Sequence, residues 1–445
     1  MRRANAVATS ARPRAGAQDN RLRPEDLAAH DWYRFVLSFP PHLVREYIER
    51  FGLDSRDNVL DPFCGTGTTL VECKKLGIAS IGIEANPIAC FASRTKTDWS
   101  IDPDGLLNHA REVAQASLAK LDADGIEDVG GPPLFGAGRE VDANLRTLPA
   151  DSWNLLLKGS ISPLPLHKTL VLLETLADQN DDRFSDHERL ALAKAIVSAI
   201  SNLRFGPEVG VRPAKPDAPV VSTWLSGLRT MTNDLSDLRS KADTAAIVHR
   251  ADSRNLLAVL EPGSVSAVIT SPPYPNEKDY TRTTRLESVL LGFLRSKQDL
   301  RALKQDLVRS NTRGVYRNDD DDLLVAGHEE IQRIARAIEK RRLELGKTSG
   351  FERLYSRVTK LYFGGMARHL SDLRTVLRPG AQLAYVVGDQ ASYLRVMIRT
   401  GQLLADIARS LGYEVVGIDL FRTRLATATK EQLREEAVVL RWPGG

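Results

Sequence analysis

Two short segments of this chain carry residue types suited to chemistry. The first is Asp61-Pro62-Phe63-Cys64-Gly65-Thr66-Gly67-Thr68-Thr69; the second, far downstream, is Thr270-Ser271-Pro272-Pro273-Tyr274. In the first, Gly65 and Gly67 carry no Cβ, so the backbone can turn tightly and a ligand can approach it closely. In the second, the prolines fix their own φ, and Pro273 keeps Pro272 out of the helical region. That turn is stiff before anything binds. It offers the Ser271 hydroxyl and the Pro272 carbonyl as acceptors for an amino group, and the Tyr274 ring as a surface on which a base can stack. Taken alone, Ser-Pro-Pro-Tyr also reads as a surface turn or a polyproline ligand. The apolar run before it favours a strand end.

The elements that must position these residues are legible around them. Asn58-Val59-Leu60 predicts a buried parallel strand ending at Asp61. Thr68 to Leu76 predicts a helix, closed by Gly77. Ala79 to Ile83 predicts a second strand ending at Glu84. That acid lies about twenty residues past the glycine loop, the spacing at which a carboxylate reaches ribose hydroxyls. A phosphate-cradling loop needs a lysine after the second glycine, and none follows Gly67. A dinucleotide fingerprint needs a third glycine where Leu70 stands. Ser264 to Ile269 predicts the strand that delivers Ser271, and Ile247-Val248-His249 another that leads to Asp252.

Together the two motifs resemble those of the DNA amino-methyltransferases, enzymes that use S-adenosylmethionine to methylate an exocyclic amine of a base. The resemblance implies an α/β fold with a Rossmann-like, seven-stranded class I methyltransferase sheet, here with large helical insertions. It places Asp61 near the methionine amino group, Gly65 and Gly67 against the ligand with Phe63 and Thr68, and Glu84 on the ribose. It makes Asp252 an acceptor for the adenine amino group; from the residues alone, Asp252 reads equally as the cap of a helix starting near Arg254. The segment His30 to Phe35 with Ser38 to Pro41 resembles the one that closes over the methionine end. Ser271, Pro272, Pro273 and Tyr274 become the catalytic set, with the base flipped out of double-stranded DNA. Serine before Pro-Pro associates with cytosine N4; adenine N6 is the alternative. More distant alternatives are an RNA guanine-N2 methyltransferase, which usually carries Asp-Pro-Pro-Tyr, and a non-catalytic nucleic-acid-binding partner subunit. Glycine motif first and Ser-Pro-Pro-Tyr second excludes the permuted class. Cognate restriction or defence-system proteins are implied as partners.

At 445 residues the chain exceeds a bare Rossmann core. The motifs divide it into a disordered basic tail (1–23), a first core part with the cofactor motifs (24–100), a mainly helical insertion expected to recognise the target (101–245), the catalytic core part (246–285), a charged helical insertion (286–350) and a C-terminal core part (351–445). Gly130 to Gly138 reads as a Gly-Pro-rich loop, and Glu188 to Leu203 as a helix. A long helix is expected from Phe351 to Leu377, stopped by Arg378-Pro379-Gly380, before a strand over Gln382 to Val387. The acidic run Asp319 to Asp322 and the basic cluster Lys340-Arg341-Arg342 read as solvated faces. Pro275 to Arg282 reads as a wall of the base pocket or as an exposed loop. Net charge is +4, so any basic face for nucleic acid must be local. Cys64, Cys73 and Cys90 show no metal spacing, and no metal is expected; their odd number fits a reducing cytoplasm better than a disulfide framework. No apolar run is long enough to span a membrane.

Overall fold

The structure, a computed structural model, describes residues 22–35, 38–129, 145–206, 208–276, 278–425 and 432–445. Most of the expected basic tail, the Gly130 to Gly138 loop and Glu277 lie outside the described residues.

Seven strands form the central sheet: β1 (Asn58–Asp61), β2 (Ala79–Ile83), β3 (Ala246–His249), β4 (Val265–Thr270), β5 (Leu377–Gly388), β6 (Glu414–Leu425) and β7 (Gln432–Arg441). Their order is β3-β2-β1-β4-β5-β7-β6. The first five are parallel, and β7 inserts antiparallel between β5 and β6. Strand order reverses between β1 and β4, and a crevice at such a switch point is where open α/β sheets bind ligands. Register brings the two motifs side by side: Leu60 pairs with Val268, and Thr270 with Tyr385. Both faces of the inner strands are covered. Ala267, Ile269, Ala384 and Val386 pack with Leu43, Val44 and Tyr47 of helix α1 (Pro41–Phe51). Val268, Leu383 and Tyr385 pack on the opposite face.

Helices α2 (Thr68–Lys75) and α3 (Pro87–Thr97) follow β1 and β2. Residues 101–245 supply α4 (Pro103–Ala123), α5 (Pro163–Asp178), α6 (Ser185–Ala195) and α7 (Val221–Leu238). Their apolar core, around the fully buried Trp99 and Trp224, runs without a break into Val71 of α2 and Ile88 and Ala92 of α3. The helix expected over Glu188 to Leu203 is shorter: α6 ends at Ala195, a π-helical turn covers Ile196–Ile200, and Leu203 joins a two-residue hairpin strand.

The second insertion supplies α8 (Lys297–Asp306), started by a Ser296/Asp299 capping box, and α9 (Glu329–Glu344). Helix α9 packs on α10 (Tyr355–Leu373), whereas Leu303 of α8 packs with Leu155, Val289 and Leu294; α11 (Thr400–Ser410) precedes β6. Helix α10 ends at Leu373, four residues before the expected stop, and Arg378-Pro379-Gly380 lies inside β5. There the pairing jumps from Val265↔Leu377 to Ala267↔Gln382. Pro379 has no N–H for the ladder and Gly380 sits at φ +86°, so the segment bulges out of register.

The acidic run is a second correction. Asp319 accepts from Arg309, Asp320 and Asp321 pair with Arg368, and Asp321 also pairs with Arg254. Asp321 is buried. Its backbone is seated on α10 at Gly364, where a Cβ would lie 1.8 Å from the Asp321 carbonyl oxygen. The run is a clasp between insertion and core, because arginines from three directions neutralise it. The cluster Lys340-Arg341-Arg342 stays on the helix surface, where Arg341 and Arg342 pair with Glu344 and Glu339.

Candidate active site

The Asp61 carboxylate is fully buried at the end of β1. Its Oδ1 accepts from the Thr270 hydroxyl at 2.6 Å and from the Phe63 amide at 3.1 Å, and the Thr69 hydroxyl donates to the Ile269 carbonyl at 3.1 Å, so two side-chain hydrogen bonds tie the glycine motif to the strand before Ser271. Its Oδ2 has no partner among the described residues. Burial pushes its pKa up to about 6, against the pull of those hydrogen bonds. Glu84, at the end of β2, accepts the Gly65 amide at 2.9 Å and the Asn86 amide at 2.7 Å. Burial pushes it up to about 7. Gly65 has φ +52°, and a Cβ there would meet nothing nearer than Phe35 at 4.0 Å. Gly67, at φ +82°, is required for packing instead: its Cβ would lie 2.5 Å from Ser93 Oγ on α3.

A cleft of about 240 Å³ opens over these groups. Phe63, Gly65, Thr68 and Glu84 line it, as do Ser271, Pro272, Pro273 and Tyr274, so the two motifs share one cavity. Asp61 and Gly67 stand behind its wall. Phe35, Ser38, Phe39 and Pro40 line it from the N-terminal side. Asp252 does not line it, although Ala251 and Ser253 do. Both Asp252 oxygens face the Arg254 guanidinium. Nor does Asp252 cap a helix: the next element is a single turn over Leu256–Ala258, whose first amide bonds the Asp372 carboxylate.

The Ser271 hydroxyl donates to the Val386 carbonyl on β5 at 3.1 Å. Its proton is thereby committed, and its lone pairs remain to accept. The Tyr274 ring lies against Gly388 at the end of β5, where a Cβ would come within 2.9 Å of Tyr274 Cε2. Burial holds its phenol protonated at neutral pH, well above the usual tyrosine range.

The chain is 28% identical over 436 residues to the type II methyltransferase M.BsoBI of Geobacillus stearothermophilus, covering 93% of this chain and 84% of that protein. It is 25% identical over 456 residues to the type II methyltransferase M.AvaI of a Nostoc strain, covering 96% and 88%. A shorter match, 39% over 67 residues, joins 15% of it to 12% of M.MjaII, a type II methyltransferase of Methanocaldococcus jannaschii. A family model described as DNA methylase matches residues 16–93, the stretch that contains the glycine motif and Glu84. Together these matches support an S-adenosylmethionine-dependent DNA amino-methyltransferase. A methyl donor of the S-adenosylmethionine type is implied by that likeness.

Much of this methyltransferase's cleft carries no sequence motif. Asn276, Lys278, Asp279 and Tyr280 form a wall, which decides between the two readings of that segment. The stretch Lys304 to Asn311 from the second insertion faces the cleft from the far side, and Arg422, Arg424 and Glu435 of the outer strands complete it. Arg309 is fixed by the Lys304 carbonyl at 2.7 Å, by Leu307 and by Asp319, and lies over the Tyr316 ring. Arg254 binds Asp252, Asp321 and the Gln305 carbonyl at once. A lone arginine in the catalytic core part and another in the charged insertion gave no sequence signal for either role. Among the described residues no His, Cys, Asp and Glu cluster is arranged to hold a metal ion. No described helix is long and apolar enough to cross a membrane.

Proposed function

We propose that this enzyme transfers the methyl group of S-adenosylmethionine to N4 of a cytosine flipped out of duplex DNA. The observation that carries the reading is the Ser271 hydroxyl: its proton is committed to Val386, and it shares one cleft with Tyr274 and the glycine loop. When bound, S-adenosylmethionine supplies an electrophilic sulfonium methyl. The residues fit it: Asp61 Oδ2, Thr66 Oγ1 and Asn86 Oδ1 are buried without partners among the described residues, and the Gly65 side is open. Glu84, fixed by two amides, would accept from the donor's ribose hydroxyls, and Asp61, behind the cleft wall, would favour its ammonium by charge.

An aromatic amine is a poor nucleophile because its lone pair is delocalised into the ring. Ser271 Oγ and the Pro272 carbonyl accept hydrogen bonds from its two N–H groups and draw the nitrogen toward tetrahedral geometry, which frees the lone pair to form the new C–N bond; the S–CH3 bond would break with its electron pair kept by sulfur, and the surplus amine proton would pass to water. Tyr274 stacks on the extruded base and holds the nitrogen in line, and such positioning can supply several kcal/mol of the barrier reduction, about 7 or more in favourable cases. Serine before Pro-Pro supports cytosine over adenine. A cognate restriction enzyme belongs to the proposal, in keeping with the type II designation of the relatives. The test is nucleoside mass spectrometry on DNA from a methylation-free host expressing the chain. N4-methylcytosine supports the reading, N6-methyladenine would transfer it to the other base, and neither mark would overturn it.

A further inference from the structure

Lys96, on α3, is 0% exposed. Burying an ammonium is costly unless it is paired. Lys168, equally buried, is paired with Asp217 at 2.7 Å. Lys96 has no carboxylate in hydrogen-bond reach among the described residues. Its ammonium instead donates to two main-chain carbonyls, Thr66 at 2.8 Å and Tyr33 at 3.2 Å. Thr66 belongs to the glycine loop, and Tyr33 precedes Phe35 by two residues. Phe35 and the glycine loop face each other across one end of the cleft, with the Gly65 Cβ position 4.0 Å from the Phe35 ring. Lys96 therefore joins the two segments where they must close on a ligand.

We infer that Lys96 is a positioning residue for the methyl donor, setting the separation of the glycine loop from the Phe35 segment without touching the ligand. This rests on the reading of the cleft as the S-adenosylmethionine site. Stability alone does not explain the residue. Burial pushes its pKa down to about 7, with Arg34, Lys75 and Lys194 acting in the same direction and Asp31 opposing. His30 also lies in its field. An apolar side chain of similar length would avoid that cost, against which stands the loss of a donor to the Thr66 and Tyr33 carbonyls. What it would lose is the link from the glycine loop to the Phe35 segment, including control over Thr66, whose own hydroxyl is buried without a partner among the described residues.

The test titrates S-adenosylmethionine into the full-length protein by calorimetry, for wild type, Lys96→Met and Lys96→Gln, and records the melting temperature of each without ligand. Lys96→Met should bind the donor about tenfold or more weakly, the scale of losing hydrogen bonds from a charged group. Its melting temperature should change little, because relief of the buried ammonium offsets the loss of a donor to two carbonyls. KM for S-adenosylmethionine should climb while KM for DNA does not, and Lys96→Gln, which keeps a neutral donor, should recover part of the affinity. Unchanged affinity in folded Lys96→Met overturns the inference. So does a loss of affinity that only tracks a fall in melting temperature. Should Lys96→Met not fold, Lys96→Gln is judged by the same two outcomes, weaker binding at a held melting temperature or not. A wild-type protein that binds no S-adenosylmethionine would instead sink the reading of the cleft itself.

Discussion

The two walls of the cleft are built on different principles. One consists of strand ends: the glycine loop after β1, Glu84 after β2 and Ser271 to Tyr274 after β4. Its geometry comes from sheet register and main-chain hydrogen bonds, such as the two amides on Glu84. The other consists of Lys304 to Asn311 and the outer strands. Side-chain ion pairs hold it, with Arg254, Arg309 and Arg422 each gripping a carboxylate. The first wall suits chemistry that tolerates little displacement. The second can vary in sequence so long as its pairs are kept.

The sharpest way to break this comparison is to unseat the second wall alone. Gly364→Ala puts a methyl group where the Asp321 carbonyl already lies, and should cost on the order of 3 kcal/mol of stability in urea unfolding. Near-wild-type stability would show that the insertion is not seated on α10 as described. Next, Tyr274→Ala should slow methyl transfer by about 1–3 kcal/mol of lost stacking. Single-turnover kinetics would show it, and normal turnover would remove the stacking role.

The first wall should also respond to pH. With Asp61 raised to about 6 and Glu84 to about 7, both are largely protonated at pH 5 and ionised by pH 8. Affinity for S-adenosylmethionine should therefore rise across that range, as the acceptors become carboxylates. Ligand-free stability should move the other way. A raised folded-state pKa gives stability that is present below the unfolded value and is lost as pH rises through the folded one. Glu84→Gln should flatten the part centred near 7, and calorimetry over that range decides.

The smallest expected effect falls on the rim beside Tyr274. Lys278 is half-buried there with no carboxylate partner among the described residues, and Arg424's charge adds to the burial that pushes its pKa down. Lys278→Gln and Arg424→Gln should each lower the slope of log affinity for duplex DNA against log salt by about 1 if they meet phosphates. An unchanged slope would assign the rim to the protein's own acids.

What the sequence revealed follows the same division. Asp61 to Thr68 and Ser271 to Tyr274 were legible because stiff or Cβ-free backbone leaves a signature in residue type. Gly388 needed knowledge of which side chain crosses the end of β5. Asp319 to Asp322 looked solvated because Arg254 and Arg368, its partners, come from distant parts of the chain. Arg378-Pro379-Gly380 looked like a helix stop because a bulge inside a strand uses the same residues. Asp252 looked like a ligand acid, and only the position of Arg254 shows how its carboxylate is occupied.

The central claim is that Ser271, with its proton committed to Val386, accepts from the amine that is methylated. The most direct measurement is nucleoside mass spectrometry on DNA from a methylation-free host, comparing wild type with Ser271→Ala of verified fold and S-adenosylmethionine affinity. N4-methylcytosine is expected with wild type, and a loss of about a hundredfold or more with Ser271→Ala, the scale of removing one preorganised transition-state hydrogen-bonding group. Equal methylation by both proteins would contradict it.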